Sequence, residues 1–203
     1  MDVEAAHRRD LISALGDFFL CFEEVEIEHP LLTGLTVRAD VVAIPCDRAL
    51  WGHALAFEVK CYDETADYAK WSAAIRQASD YVLGRIRSDH HLLAGRRISA
   101  ALVYPSPAYQ AYVPKHDAPA DIATRIMITG AFHCALHWRV GRAHRSARDG
   151  LTLSFGPNEF WTTRRGFTAQ SKNLLTNSRP VGSRRVDVSA VLDGFDAAMP
   201  EFE

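Results

Sequence analysis

Two acids and a lysine stand inside two otherwise apolar stretches of this chain. Asp40 interrupts Val37-Arg38-Ala39-Asp40-Val41-Val42-Ala43-Ile44, and Glu58 and Lys60 interrupt Ala54-Leu55-Ala56-Phe57-Glu58-Val59-Lys60. Strand side chains alternate between faces, so Glu58 and Lys60 share one face while Phe57 and Val59 share the other. Charge buried without partners is costly, and acids placed where a fold wants valine point to metal binding and catalysis. The alternative is an ordinary cross-strand ion pair between the acids and the lysine.

The pairing of Asp40 with Glu58-Val59-Lys60 resembles the PD-(D/E)XK nuclease superfamily, the restriction-endonuclease-like fold, with Ala39 in place of the proline of the family name. Downstream, Gln77-Ala78-Ser79-Asp80-Tyr81 resembles the Q-x-x-x-Y element of its RecB-type and phage-exonuclease branch. The resemblance implies an α/β fold with an αβββαβ core, a central mixed sheet flanked by helices, in residues 1–105. Residues 106–203 are then a β-rich extension of the same domain, shaping a substrate groove or an assembly surface. It also implies a Mg²⁺-dependent deoxyribonuclease, with Mn²⁺ able to substitute, acting on DNA in phage or mobile-element replication, recombination or defence.

The same resemblance assigns roles. Asp40 and Glu58 hold the metal, the backbone carbonyl of Val59 joins them, and Lys60 lies beside the metal-bound water. Glu4 resembles the first-helix glutamate that completes such sites; it reads equally as a favourable acid in a helix's first turn. Gln77 and Tyr81, four apart on a helix, can reach one ligand, or they simply cap the core. Hydrolysing a phosphodiester requires neutralised phosphate charge, a hydroxide-like nucleophile and a stabilised leaving oxygen. Mg²⁺ held by one or two carboxylates can serve all three needs.

The elements that must position these residues follow from periodicity. Helical spacing runs over 4–20 through Leu11, Ile12, Leu15, Phe18 and Phe19, and a half-exposed strand over 22–28 turns Val25 and Ile27 one way and Glu24, Glu26 and Glu28 the other. A helix capped by Asp63 is expected to about residue 87, burying Trp71, Ile75, Ala78, Val82 and Ile86. Residues 98–104 form a further strand. Beyond it, a short helix is expected over 121–131, strands over 132–140, 151–155 and 159–163, a loop over 170–185 and a helix over 188–199.

With 203 residues, 48% of them hydrophobic, the chain can bury one substantial core. No apolar run approaches the length of a membrane span, and the first residues lack a signal-peptide core. The expected location is cytoplasmic, in the host cytoplasm if phage-encoded, with no membrane partner. Cys21, Cys46, Cys61 and Cys134 lack metal-ribbon spacing, and His133 and His137, four apart on an expected strand, are too distant to share an ion. Residues 1–75 carry 6 Lys and Arg against 14 Asp and Glu, whereas residues 76–203 carry 17 against 11. A basic later half suits phosphate binding. Arg164 and Arg165, next to Phe160 and Trp161, are candidates to hold backbone and stack bases, or else an exposed pair beside a packed aromatic one; Arg85 and its neighbours Arg87, Arg96 and Arg97 come next. Two other functions compete with the nuclease: an inactive nucleic-acid-binding or assembly protein on the same fold, and a structural module whose charges pair internally. Endo- or exonuclease action, strand form and homo-oligomer formation stay open.

Overall fold

The computed structural model describes residues 2–29, 34–60, 68–106, 139–155 and 160–167. Their elements follow in the order α1 (Val3–Leu15), β1 (Phe19–Glu28), β2 (Thr36–Pro45), β3 (Leu55–Val59), α2 (Tyr68–Leu83), β4 (Arg85–Ile86), β5 (Ala100–Tyr104), β6 (Val140–Ser146), β7 (Gly150–Ser154), β8 (Phe160–Thr162) and β9 (Gly166–Phe167), with one 3-10 turn at Arg48–Leu50. All nine strands join one mixed sheet in the order β4-β1-β2-β3-β5-β6-β7-β8-β9. Pairing is antiparallel except β3 with β5 and β5 with β6. The fold is mixed α/β, and β6 to β9 continue the sheet of the first half. The sheet curls: Trp161 of β8 meets Phe18 and Phe19 at the start of β1, with ring centroids 5.3 and 5.2 Å apart.

Two helices end earlier than periodicity suggests. α1 stops at Leu15 with Gly16 as its C-cap, so Phe19 opens β1 instead of continuing the helix. α2 stops at Leu83 because Gly84 brings the main chain against β1; a Cβ there would stand 2.2 Å from Ile27 Cγ2 and 2.8 Å from the Glu28 carbonyl. Ile86 is buried as expected, but from β4. The expected cap Asp63, the elements over 121–131, 170–185 and 188–199, Cys61, and Cys134 with His133 and His137 lie outside the described residues. The expected strand over 132–140 is described only at its end, where Val140 opens β6.

Each sheet face carries its own core. On one face, Trp71, Ala74, Ile75, Ala78, Tyr81 and Val82 of α2 pack on Ala39, Val42, Ile44, Ala56, Ala101 and Val103. On the other, Leu11 and Leu15 of α1 join Val41, Ala43, Phe57, Val59, Leu102 and Trp161. A 13-residue helix is marginal alone. Burying each leucine stabilises by about 1.5–3 kcal/mol, more than the exposed ion pairs beside them contribute.

The alternation of β1 and β2 slips by one residue at a single rung. Along β2, Val37, Ala39, Val42 and Ile44 pack with α2, whereas Val41 and Ala43 pack with α1. Along β1, Phe22, Val25 and Ile27 pack with α2, whereas Phe19 and Cys21 pack with α1. Glu23 pairs with Val41 and Val25 with Ala39; between them Glu24 and Asp40 drop out of the ladder. Glu24 has φ 54°, a left-handed conformation that costs a side-chain-bearing residue about 1–2 kcal/mol.

Candidate active site

The β2–β3 ladder runs from Ala43 opposite Leu55 to Val41 opposite Phe57 and then stops. At the next rung the Val59 N–H donates to Asp40 Oδ2 at 2.6 Å, so a side chain takes the bond that the main chain of β2 would otherwise accept. Asp40 and Glu58 therefore end up at the mouth of two diverging strands. Burial raises the Asp40 carboxyl above the ordinary carboxylate range; the Val59 N–H and Lys60 oppose this, and Glu4 and Glu24 add to it.

Glu58 is fully buried. It projects from β3 toward α2, while Phe57 and Val59 enter the opposite core. Tyr81, also fully buried, meets Glu58 Oε2 with its hydroxyl, which lies 2.8 Å from the Arg38 carbonyl and accepts from Gln77 Nε2 at 2.9 Å. One hydroxyl proton cannot serve both the carbonyl and a carboxylate. The Tyr81 hydroxyl therefore donates to the Glu58 carboxylate, with the Arg38 carbonyl as the competing acceptor. Burial pushes the Glu58 carboxyl up to about 7, with Lys60 and Tyr81 opposing and the Asp40 charge adding to the rise. The same burial, with the nearby acids, raises the Tyr81 phenol.

Lys60 continues the strand pairing by donating its N–H to the Tyr104 carbonyl at 2.8 Å. Its ammonium meets Glu58 Oε1, and Glu4 Oε1 lies 3.8 Å away. Burial disfavours the charge, but Glu58, Asp40 and Glu4 outweigh it and raise the Lys60 pKa, so the group stays cationic. Glu4 comes from the first turn of α1, where the Asp2 side chain accepts from its N–H at 3.1 Å. Asp40, Glu58, Lys60, Gln77 and Tyr81 are thus brought together, and Glu4 reaches the cluster through Lys60.

The arginines singled out from sequence fall into two groups at opposite ends of the strand order, Arg85 bridging Arg97 in the first. Arg85 lies in β4 at one end of the sheet order, opposite Glu28, while Arg164 and Arg165 occupy the exposed turn between β8 and β9 at the other. Arg164 donates to the Ala147 carbonyl at 3.3 Å, and Arg165 lies 3.7 Å from Asp149. Trp161 is core and offers no face for stacking a base.

Two groups around the site were not legible from spacing. Arg8 of α1 pairs with Glu24 and with Glu23 (3.1 Å), and Arg38 Nε reaches Glu24 at 2.7 Å. Asp10 of α1 accepts from the Tyr104 hydroxyl and pairs with Arg145 at 2.7 Å. Both fasten α1 to the sheet beside Asp40 and Lys60. They join residues 14 to 135 positions apart, which no local pattern encodes.

Comparison of the chain with protein families, with curated proteins and with solved structures finds no match. Among the described residues no group of three or more His, Cys, Asp or Glu side chains is gathered so as to hold a metal ion. The acidic donors at the site are the pair Asp40 and Glu58.

Proposed function

We propose that the protein is a Mg²⁺-dependent deoxyribonuclease of the PD-(D/E)XK type, with Mn²⁺ able to substitute, working in phage or mobile-element replication, recombination or defence. The observation that carries this reading is the convergence of Asp40, Glu58 and Lys60 where β2 and β3 part, backed by Tyr81 and Gln77. A carboxylate pair suits Mg²⁺, which typically takes one or two carboxylates and completes its shell with water and phosphate oxygens. One oxygen also fits: of the Asp40 carboxylate only Oδ2 is hydrogen-bonded among the described residues, which leaves Oδ1 for an ion, while Glu58 Oε1 already meets the Lys60 ammonium. The basic balance of residues 76–203 supports a nucleic-acid substrate.

A divalent ion at this pair would neutralise phosphate charge and acidify a bound water. The protein's own groups divide the remaining work. Asp40 offers Oδ1 while the Val59 N–H fixes its other oxygen. Glu58 is oriented by Tyr81, itself held by Gln77. Lys60 places a fixed positive charge beside the carboxylates, able to orient the attacking water and stabilise the negative charge that develops on the phosphate.

One observation favours a second reading, a structural charge cluster: Lys60 and Tyr81 between them already meet both Glu58 oxygens. Incubating the pure protein with circular and linear, single- and double-stranded DNA and Mn²⁺ separates the two. The nuclease cuts at least one form, and Asp40→Asn does not; a structural cluster neither cuts DNA nor takes up Mn²⁺ in a calorimetric titration.

A further inference from the structure

We propose that Glu24 is a positioning residue: its left-handed backbone, clasped between Arg8 and Arg38, forces the strand slip that carries the Asp40 carboxylate to the Val59 N–H. The slip falls on the same rung in both strands, since Glu24 and Asp40 face each other across the gap between the Glu23–Val41 and Val25–Ala39 pairs in register.

 The Val25 and Ala39 pair resumes the ladder with every later side chain turned to the other face. Without the slip, residue 40 would share the α2 face with Val42, and Ala39 would turn toward α1. With it, Asp40 reaches sideways to the main chain of β3.

Glu24 is the unusual member of that rung. It is neither glycine nor asparagine, yet its φ is 54°, in a region that β-branched side chains avoid. Its carboxylate meets Arg8 from α1 and Arg38 from β2, the latter at 2.7 Å, so one acid ties the helix and both strands together at the slip. Strained backbone of this kind persists only where its surroundings over-determine it. The proposal rests on the nuclease reading in its last step alone, that Asp40 so placed holds a metal ion.

The test uses the full chain and two readouts. The first is the Val59 amide proton, which a short bond to a carboxylate moves downfield and protects from exchange; Asp40→Ala sets its value when that bond is lost. The second is Mn²⁺ affinity by calorimetry. Glu24→Gly keeps the backbone conformation without strain, so the Val59 signal should remain and Mn²⁺ affinity should stay within about threefold. Glu24→Val opposes a positive φ, so the signal should move to the Asp40→Ala value and affinity should fall about tenfold or more, as when an outer-shell partner of a metal ligand is lost. If Glu24→Val does not fold, Glu24→Ala replaces it, and a Val59 signal weaker than in Glu24→Gly supports the proposal. A signal unchanged in Glu24→Val, equal in Glu24→Ala and Glu24→Gly, or lost in Glu24→Gly overturns it. A wild-type protein that binds no Mn²⁺ while the Val59 signal follows the series supports the positioning role and removes the metal from Asp40 instead.

Discussion

Asp40 and Val59 are joined by a 2.6 Å bond from main-chain N–H to carboxylate, at the point where their two strands stop pairing. The bond ends the ladder without leaving the donor unpaired, and it holds the Asp40 carboxylate within electrostatic reach of Glu58 and Lys60. A backbone interruption and a cluster of charge thus share one place in the fold, and the interruption is what lets the charges meet.

The metal-free protein should lose stability as pH rises through the range in which Glu58 titrates. Folded Glu58 holds its proton up to about 7, against an ordinary value of 4.5, so between those values the folded state binds more protons than the unfolded one. Stability then falls with rising pH, by roughly 3 kcal/mol once pH is above the folded value. Urea unfolding in EDTA at pH 4.5, 6 and 8 should show this decline in the wild type and a much flatter profile in Glu58→Gln. The same slope in both would place the titration elsewhere.

Lys60→Met should separate charge stabilisation from metal binding. Losing one preorganised electrostatic group typically costs about 10² to 10³ in rate, while Asp40 and Glu58 remain to bind the ion. Single-turnover cleavage should slow by that amount with Mn²⁺ binding retained. A variant that no longer binds Mn²⁺ would make Lys60 a structural partner of Glu58.

Gly84→Ala should loosen the helix that carries Tyr81. The new methyl would meet the Glu28 carbonyl at 2.8 Å as well as Ile27, and a carbonyl inside a strand cannot swing aside as a side chain can. Overpacking of this kind costs about 1–3 kcal/mol, measurable by urea unfolding. Stability equal to the wild type would show that the α2 end and β1 can separate without cost.

Much of the site was legible because its residues break local patterns. Glu58 stands out in an apolar strand, the Gln77 to Tyr81 spacing survives as a direct hydrogen bond, and the outward turn of Glu24, Glu26 and Glu28 leaves Val25 and Ile27 buried. The slip at Asp40 was not legible. Val41 to Ile44 is buried on both faces, and a strand buried on both faces carries no alternation from which a change of phase could be read. Phe18 and Phe19 continue the helical spacing of Leu11 and Leu15, yet Gly16 and Asp17 turn the chain, and Phe19 packs on Trp161 from a strand. Trp161 looked available to a base because Phe18 and Phe19, which pack against it, lie some 140 residues away.

The most direct test of the central claim is DNA cleavage by the purified chain with Mg²⁺ or Mn²⁺, run beside Asp40→Asn and Glu58→Gln variants shown by circular dichroism to be folded. The account predicts metal-dependent cleavage by the wild type, abolished by EDTA and by either substitution. Wild-type activity in either variant with Mg²⁺, or no cleavage of any DNA form by the wild type with either ion, would contradict it.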